Sequence, residues 1–108
     1  MRIETHGQQM EITAALRAQV EAKLGKLAKH FDQPCEVRVQ LGMDKPDYTA
    51  EAHVQVGATP LHATVRAHDM YAAIDLLADK LDRVLLKHKE RGQGHARGSK
   101  AARDGSFG

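Results

Sequence analysis

The chain has 108 residues, which is enough for one compact domain and too few for two. Hydrophobic residues make up 42% of it and aromatic residues only 4%, so its core must be built mainly from Ala, Leu, Val and Ile. The formal net charge of +2 excludes a strongly basic or strongly acidic protein, and the single cysteine excludes an intrachain disulfide. The N-terminal residues lack the apolar stretch of a secretory signal, and no run reaches membrane-spanning length, so we expect a cytoplasmic protein with no membrane partner.

The distribution of charge is more informative than its sum. Residues 13–31 have a net charge of +3 and residues 80–91 also have +3, whereas residues 32–68 have −2. Positive charge is therefore concentrated in two segments of the chain.

The first elements in chain order are predicted to be a strand and a long helix. Residues 1–6 have the pattern of a short strand that Gly7 ends. Thr13 is a favourable N-cap residue for a helix of roughly five turns that ends at Pro34. The apolar stripe of this helix comprises Leu16, Val20, Leu24, Leu27 and Phe31.

Three strands are predicted next. Residues 35–41, 48–56 and 61–67 alternate apolar and polar side chains, and the turn-forming segments between them indicate hairpins. Such alternation is typical of antiparallel strands with one covered face and one face in solvent. Cys35 falls on the apolar side and is predicted to be a buried core thiol rather than a nucleophile.

A second helix and a tail complete the chain. Asp69 is predicted to cap this helix, and the resulting order β-α-β-β-β-α predicts an α+β fold with two helices packed on one face of a four-stranded sheet. From Gly92 the sequence is Gly-rich, polar and mildly basic, so we expect one domain over residues 1–91 and a disordered tail over residues 92–108. The predicted inner stripe of the second helix comprises Met70, Ile74, Leu77, Leu81, Val84 and His88.

The second helix separates its charges by sign, as a helical wheel at about 100° per residue shows. The basic residues on one shoulder of the apolar stripe are Lys80, Arg83, Lys87 and Arg91. The acidic residues toward the other shoulder are Asp75, Asp79 and Asp82. The first helix groups Lys23, Lys26, Lys29 and His30 on one flank. If the basic flanks of the two helices face each other, they form a single basic groove suited to phosphate; the alternative is an ordinary solvated face.

No catalytic or metal-binding set is predicted. His53 and His62 are expected to be diagonal neighbours on the solvent face of adjacent strands, but no Cys or acidic partner is identified to complete a metal site. Residues 92–98, GQGHARG, are similar to a dinucleotide fingerprint, yet they follow a helix and precede none. The only serines, Ser99 and Ser106, lie in the predicted tail, so we expect no enzyme and no cofactor.

Two segments resemble the ribosome hibernation promoting factor family, which includes ribosome-associated inhibitor A. Residues 10–13, MEIT, are similar to its opening, and residues 61–91, LHATVRAHDMYAAIDLLADKLDRVLLKHKER, match its hallmark more closely. The resemblance covers residues 1–91. It implies a fold similar to a double-stranded-RNA-binding domain and binding in the small ribosomal subunit's channel, where mRNA and tRNA would otherwise sit.

The resemblance also implies which residues bind rRNA. Family positions fall on Lys80, Arg83, Lys87, Lys89, Lys26 and Lys29, and the charge pattern adds Arg91 and Lys23 to the expected rRNA-binding set. The wheel places Lys89 nearer the acidic side of its helix. Asp69 matches the helix start as its cap. Tyr71 in the same motif could pack against a helix or contact RNA, and we interpret it as a packing residue.

The implied function is that of a non-enzymatic translation regulator. It would bind the small subunit and its rRNA, inhibit translation in slow growth or stationary phase as a stress response, and be a monomer off the ribosome. Long family members append a dimerising domain and this chain ends without one, so it resembles a short form that we expect to be unable to pair ribosomes by itself. Whether a separate ribosome-dimerising factor is a further partner stays open. The alternative is a general double-stranded-RNA-binding module acting off the ribosome. Such modules usually place bases at the start of their last helix, where this chain has Asp69 and Asp75.

Overall fold

The computed structural model describes residues 1–30 and 35–96, and within them the fold is α+β, as predicted. Four strands form one sheet, and two α-helices and a short 3-10 helix complete the domain. The elements are β1 (Arg2–Gln8), α1 (Ala14–Leu24), the 3-10 helix (Gly25–His30), β2 (Cys35–Asp44), β3 (Asp47–Val56), β4 (Thr59–Ala67) and α2 (Met70–Ala96).

The sheet is mixed and has the strand order β1-β2-β3-β4. β1 runs parallel to β2, whereas β2–β3 and β3–β4 are antiparallel hairpins. Gly57 begins the two-residue loop between β3 and β4 with a φ of 59°, which is the conformation that favours glycine at the first position of such a loop. The hairpins predicted from the sequence are therefore confirmed.

One hydrophobic core lies between the sheet and the helices. Alternate side chains of β2 and β3 are buried against those of α1 and α2, and their polar neighbours occupy the open face of the sheet. Cys35 is part of this core, as predicted, and burial raises the pKa of its thiol. Both observations agree with a structural cysteine.

The first helical segment is shorter and less regular than predicted. Thr13 caps α1 as expected, because its hydroxyl accepts a hydrogen bond of 3.2 Å from the backbone N–H three residues on. α1 then ends at Leu24, before the poor helix former Gly25, and continues as the 3-10 helix. A 3-10 turn places residues three apart on one side, which keeps Leu27 buried after Leu24. Phe31, the last predicted member of the stripe, lies outside the described residues.

Gly7 lies inside β1 instead of ending it. A Cβ atom at this position would collide with the carbonyl oxygen of Met10, so the close approach of these two segments requires glycine.

α2 differs from the prediction at its C-terminal half. The buried residues of the helix are Met70, Ala73, Ile74, Leu77, Leu81 and Leu85. Val84 was predicted to belong to this stripe, but it is only half-buried, and Leu85 is 1% exposed in its place. Leu85 follows Leu81 by four positions, and a step of four is closer to the 3.6-residue turn than the step of three from Leu81 to Val84. His88 is half-buried.

The last helix extends into the segment that was predicted to be the tail. α2 continues to Ala96, past the predicted domain end at Arg91. The remainder of the predicted tail, residues 97–108, lies outside the described residues.

Candidate nucleic-acid interface

α2 presents an exposed row of four cations, here called the α2 basic row. Its members are Lys80, Arg83, Lys87 and Arg91. The row lies on the side of α2 toward β4, since Lys80 Nζ donates a hydrogen bond of 3.0 Å to the carbonyl oxygen of Thr64 on that strand. Within the part of the chain that the structure describes, Arg83 and Lys87 have no ion-pair partner. Their charges are therefore available to an external anion.

The basic flank of the first helix faces the acidic shoulder of α2. Lys23 Nζ lies 3.2 Å from Asp75 Oδ1. The groove between the helices contains both signs of charge, and its charged residues are Lys23, Lys26, Lys29, Asp75, Asp79 and Asp82. The prediction of a single basic groove is therefore wrong. The α2 basic row points away from the lysines of α1 and the 3-10 helix, so the described residues form one basic row and a separate groove of mixed charge.

A histidine at the end of the 3-10 helix reinforces this arrangement. His30 Nε2 donates a hydrogen bond of 2.6 Å to Asp82 Oδ1, and the His30 side chain is only 11% exposed. This hydrogen bond, supported by the nearby charges of His30, Lys29 and Arg83, lowers the pKa of the Asp82 carboxyl. His30 therefore joins the helices rather than offering a free cation.

Three further residues of the family motif at residues 61–91 are Asp69, which caps α2, and Tyr71 and Lys89, which are exposed. Asp69 Oδ1 accepts a hydrogen bond of 2.9 Å from the backbone N–H of Ala72, which confirms its predicted capping role. Tyr71 is 46% exposed, so its interpretation as a packing residue is wrong. Lys89 is exposed and, two positions after Lys87, is turned about 200° from it around the helix. Lys89 is therefore not part of the α2 basic row.

The open face of the sheet holds a cluster of which the sequence analysis identified only the two histidines. His53 and His62 are directly opposite each other rather than diagonal, with ring centroids 4.6 Å apart. An acidic partner does accompany them: His62 Nε2 donates a hydrogen bond of 2.8 Å to Glu51 Oε2. That hydrogen bond is the main cause that lowers the pKa of the Glu51 carboxyl. The strand register, which places Glu51 and His53 on one face at a spacing of two, could have revealed the cluster.

Among the described residues, no helix combines the length and apolar composition that crossing a membrane requires. Fold and surface together define a small α+β protein that displays a row of exposed cations on its last helix.

Comparison with known proteins assigns this class to a family. Residues 3–93 match the family described as sigma 54 modulation protein / S30EA ribosomal protein, and the chain belongs to that family. It is 45% identical over 91 residues to the ribosome hibernation promoting factor of Azotobacter vinelandii, covering 84% of this chain and 85% of the relative. It is also 43% identical over 95 residues to the ribosome hibernation promoting factor of Escherichia coli K12. That alignment covers 88% of this chain and 100% of the relative.

Solved structures agree with this assignment. The Thermus thermophilus Protein Y N-terminal domain has a TM-score of 0.76 and 30% identity, covering 82% of this chain and 99% of that one. A ribosomal subunit interface protein from Coxiella burnetii has a TM-score of 0.74 and 30% identity, covering 83% and 99%. The predicted family and the α+β fold are both confirmed.

Proposed function

We propose that this protein is a ribosome hibernation factor that binds the small ribosomal subunit through its rRNA and inhibits translation when growth slows. The observation that carries the proposal is the α2 basic row in a chain whose relatives are named ribosome hibernation promoting factors. Exposed cations without carboxylate partners suit a polyphosphate backbone, because they neutralise phosphates and release counterions.

The α2 basic row is the primary rRNA contact in this proposal. Arg83 and Lys87 lie at its centre, and Arg83 can bind a phosphate through two N–H groups at once. The second surface, formed by Lys23, Lys26 and Lys29, is weaker because acidic residues of α2 share its groove. Lys89 would contact rRNA only if the nucleic acid also reaches the far side of α2.

The proposed position on the subunit is the channel that mRNA and tRNA occupy during translation. A protein held there excludes both ligands by sterics, so inhibition requires no catalytic group and no cofactor. We expect it to act in the cytoplasm as a monomer off the ribosome, with residues 1–91 as the binding domain.

The test compares small subunits with free duplex RNA as binding partners over a range of salt concentrations. Binding to subunits should weaken by roughly 0.7–0.9 log units per log unit of salt for each phosphate neutralised, so four to six contacts predict a slope of about −3 to −5. Messenger and initiator tRNA bound beforehand should reduce occupancy. Equal affinity for free duplex RNA would instead support a general RNA-binding module, and full simultaneous occupancy with tRNA would contradict the channel position.

A further inference from the structure

The open face of the sheet carries a three-residue cluster that the proposed function does not use. His53 on β3 and His62 on β4 are paired across the hairpin, and Glu51 precedes His53 by two positions on the same face. One ligand atom from each residue can be chosen so that all lie within 4.8 Å of one another. Two imidazoles and a carboxylate thus converge on one point above the sheet.

The separations fit a transition-metal ion. Zn²⁺ binds imidazole nitrogen and carboxylate oxygen at about 2.0–2.2 Å, which places tetrahedral ligand atoms roughly 3.4 Å apart. Glu51 Oε2 lies 2.8 Å from His62 Nε2 and 3.7 Å from His53 Nε2, distances that bracket this value. Small side-chain rotations would therefore complete the coordination without movement of the strands.

The surroundings permit entry of an ion and limit its affinity. The side chains of Glu51, His53 and His62 are 35%, 57% and 50% exposed, so an ion can arrive from solvent. Thr64 Oγ1 lies 3.1 Å from His62 Nε2 and forms a hydrogen bond with it that a cation bound at this nitrogen would replace. Arg38 is opposite His53 on β2, and its positive charge would limit the affinity for a cation.

We propose that Glu51, His53 and His62 form a binding site for one divalent cation of the zinc class. The three protein ligands leave the fourth position to water or to a group of a bound partner. His62 binds through Nε2 in the tautomer that has its proton on Nδ1, so the cation replaces the hydrogen bond to Glu51. The ion joins β3 to β4 on the face of the sheet opposite the helices, so the site is independent of the proposed rRNA contact.

The experiment titrates Zn²⁺ into the full chain, purified without a polyhistidine tag, by isothermal calorimetry. Wild type should bind one ion at this site, and His53→Asn, His62→Asn or Glu51→Gln should each weaken that binding by at least about tenfold. Zn²⁺ should also raise the melting temperature of wild type, and raise that of the three variants less, because a ligand that binds only the folded state stabilises it.

His68→Asn is the matched control. Its Nδ1 lies 3.4 Å from Asp47 Oδ1, so it is also a histidine beside a carboxylate, but it lacks a second imidazole. This variant should bind Zn²⁺ as wild type does. The proposal is overturned if wild type binds no Zn²⁺, if the three ligand variants bind with wild-type affinity, or if His68→Asn loses as much.

Discussion

At the level of single residues, the sequence predicts best where one local interaction decides the outcome. Thr13 and Asp69 were predicted as caps because an oxygen at that position has backbone donors within reach, and both accept such hydrogen bonds. Tyr71 was misjudged, since an aromatic ring can pack or face solvent and only the position of its helix decides.

The structure buries Leu85 where the sequence predicted Val84, and this difference can be tested by mutation. Leu85→Ala should destabilise the domain by about 2–5 kcal/mol, because it leaves a cavity around a side chain that is 1% exposed. Val84→Ala, at a half-buried position, should cost about 1 kcal/mol or less. Urea unfolding of both variants measures the difference, and a larger loss for Val84→Ala would place the core on the other side of α2.

At the level of elements, strands were predicted more accurately than the relation between helices. Period-two alternation identifies a strand and its buried face at once, which explains the success with β2, β3 and β4. A helical wheel shows which charges share a shoulder, but not which shoulder meets the neighbouring helix. That depends on how α1 and α2 lie across the sheet, and the structure turns the acidic shoulder of α2 toward Lys23 and His30.

The hydrogen bond between His30 and Asp82 predicts a dependence of stability on pH. Folding lowers the pKa of the Asp82 carboxyl, so its contribution is present above its ordinary value of 3.8 and disappears as the pH falls through the lower folded value. The melting temperature of wild type should therefore exceed that of Asp82→Asn near neutral pH, and the gap should close in acid below about pH 4.

Calorimetric or circular-dichroism melts between pH 7 and pH 2 measure this gap. The control uses the single variant His30→Gln and the double variant His30→Gln/Asp82→Asn. Replacing His30 should lower the melting temperature less in the chain that already lacks the Asp82 carboxylate than in wild type. A gap that stays constant down to pH 2 would show that the contact does not hold the helices together.

At the level of the whole molecule, the family was predictable because residues 61–91 contain a long and specific motif. The extent of α2 was not, because Gly92 and Gly94 disfavour a helix that nevertheless continues to Ala96. Local propensity marks the residue at which continuing a helix becomes costly, but a helix can continue past that residue.

Truncation tests the domain boundary. Deleting residues 97–108 should leave the melting temperature within a few degrees of wild type, because their sequence has no apolar periodicity. Deleting residues 92–108 should have little further effect, since Leu85 is the last buried side chain of α2 among the described residues. A drop of more than about 4–8 °C, which corresponds to roughly 1 kcal/mol, would mean that the C-terminal residues stabilise the fold.

The affinity of charge-reversal variants for small ribosomal subunits tests the central claim most directly. Arg83→Glu/Lys87→Glu should weaken binding by more than tenfold, on the order of two phosphate contacts, and should make the salt slope shallower by about 1.4–1.8. Arg17→Glu/Lys45→Glu makes the same change in net charge at exposed positions outside the α2 basic row and should bind nearly as wild type. Equal losses in both variants, or wild-type binding by Arg83→Glu/Lys87→Glu, would contradict the assignment of the α2 basic row as the surface that docks on rRNA.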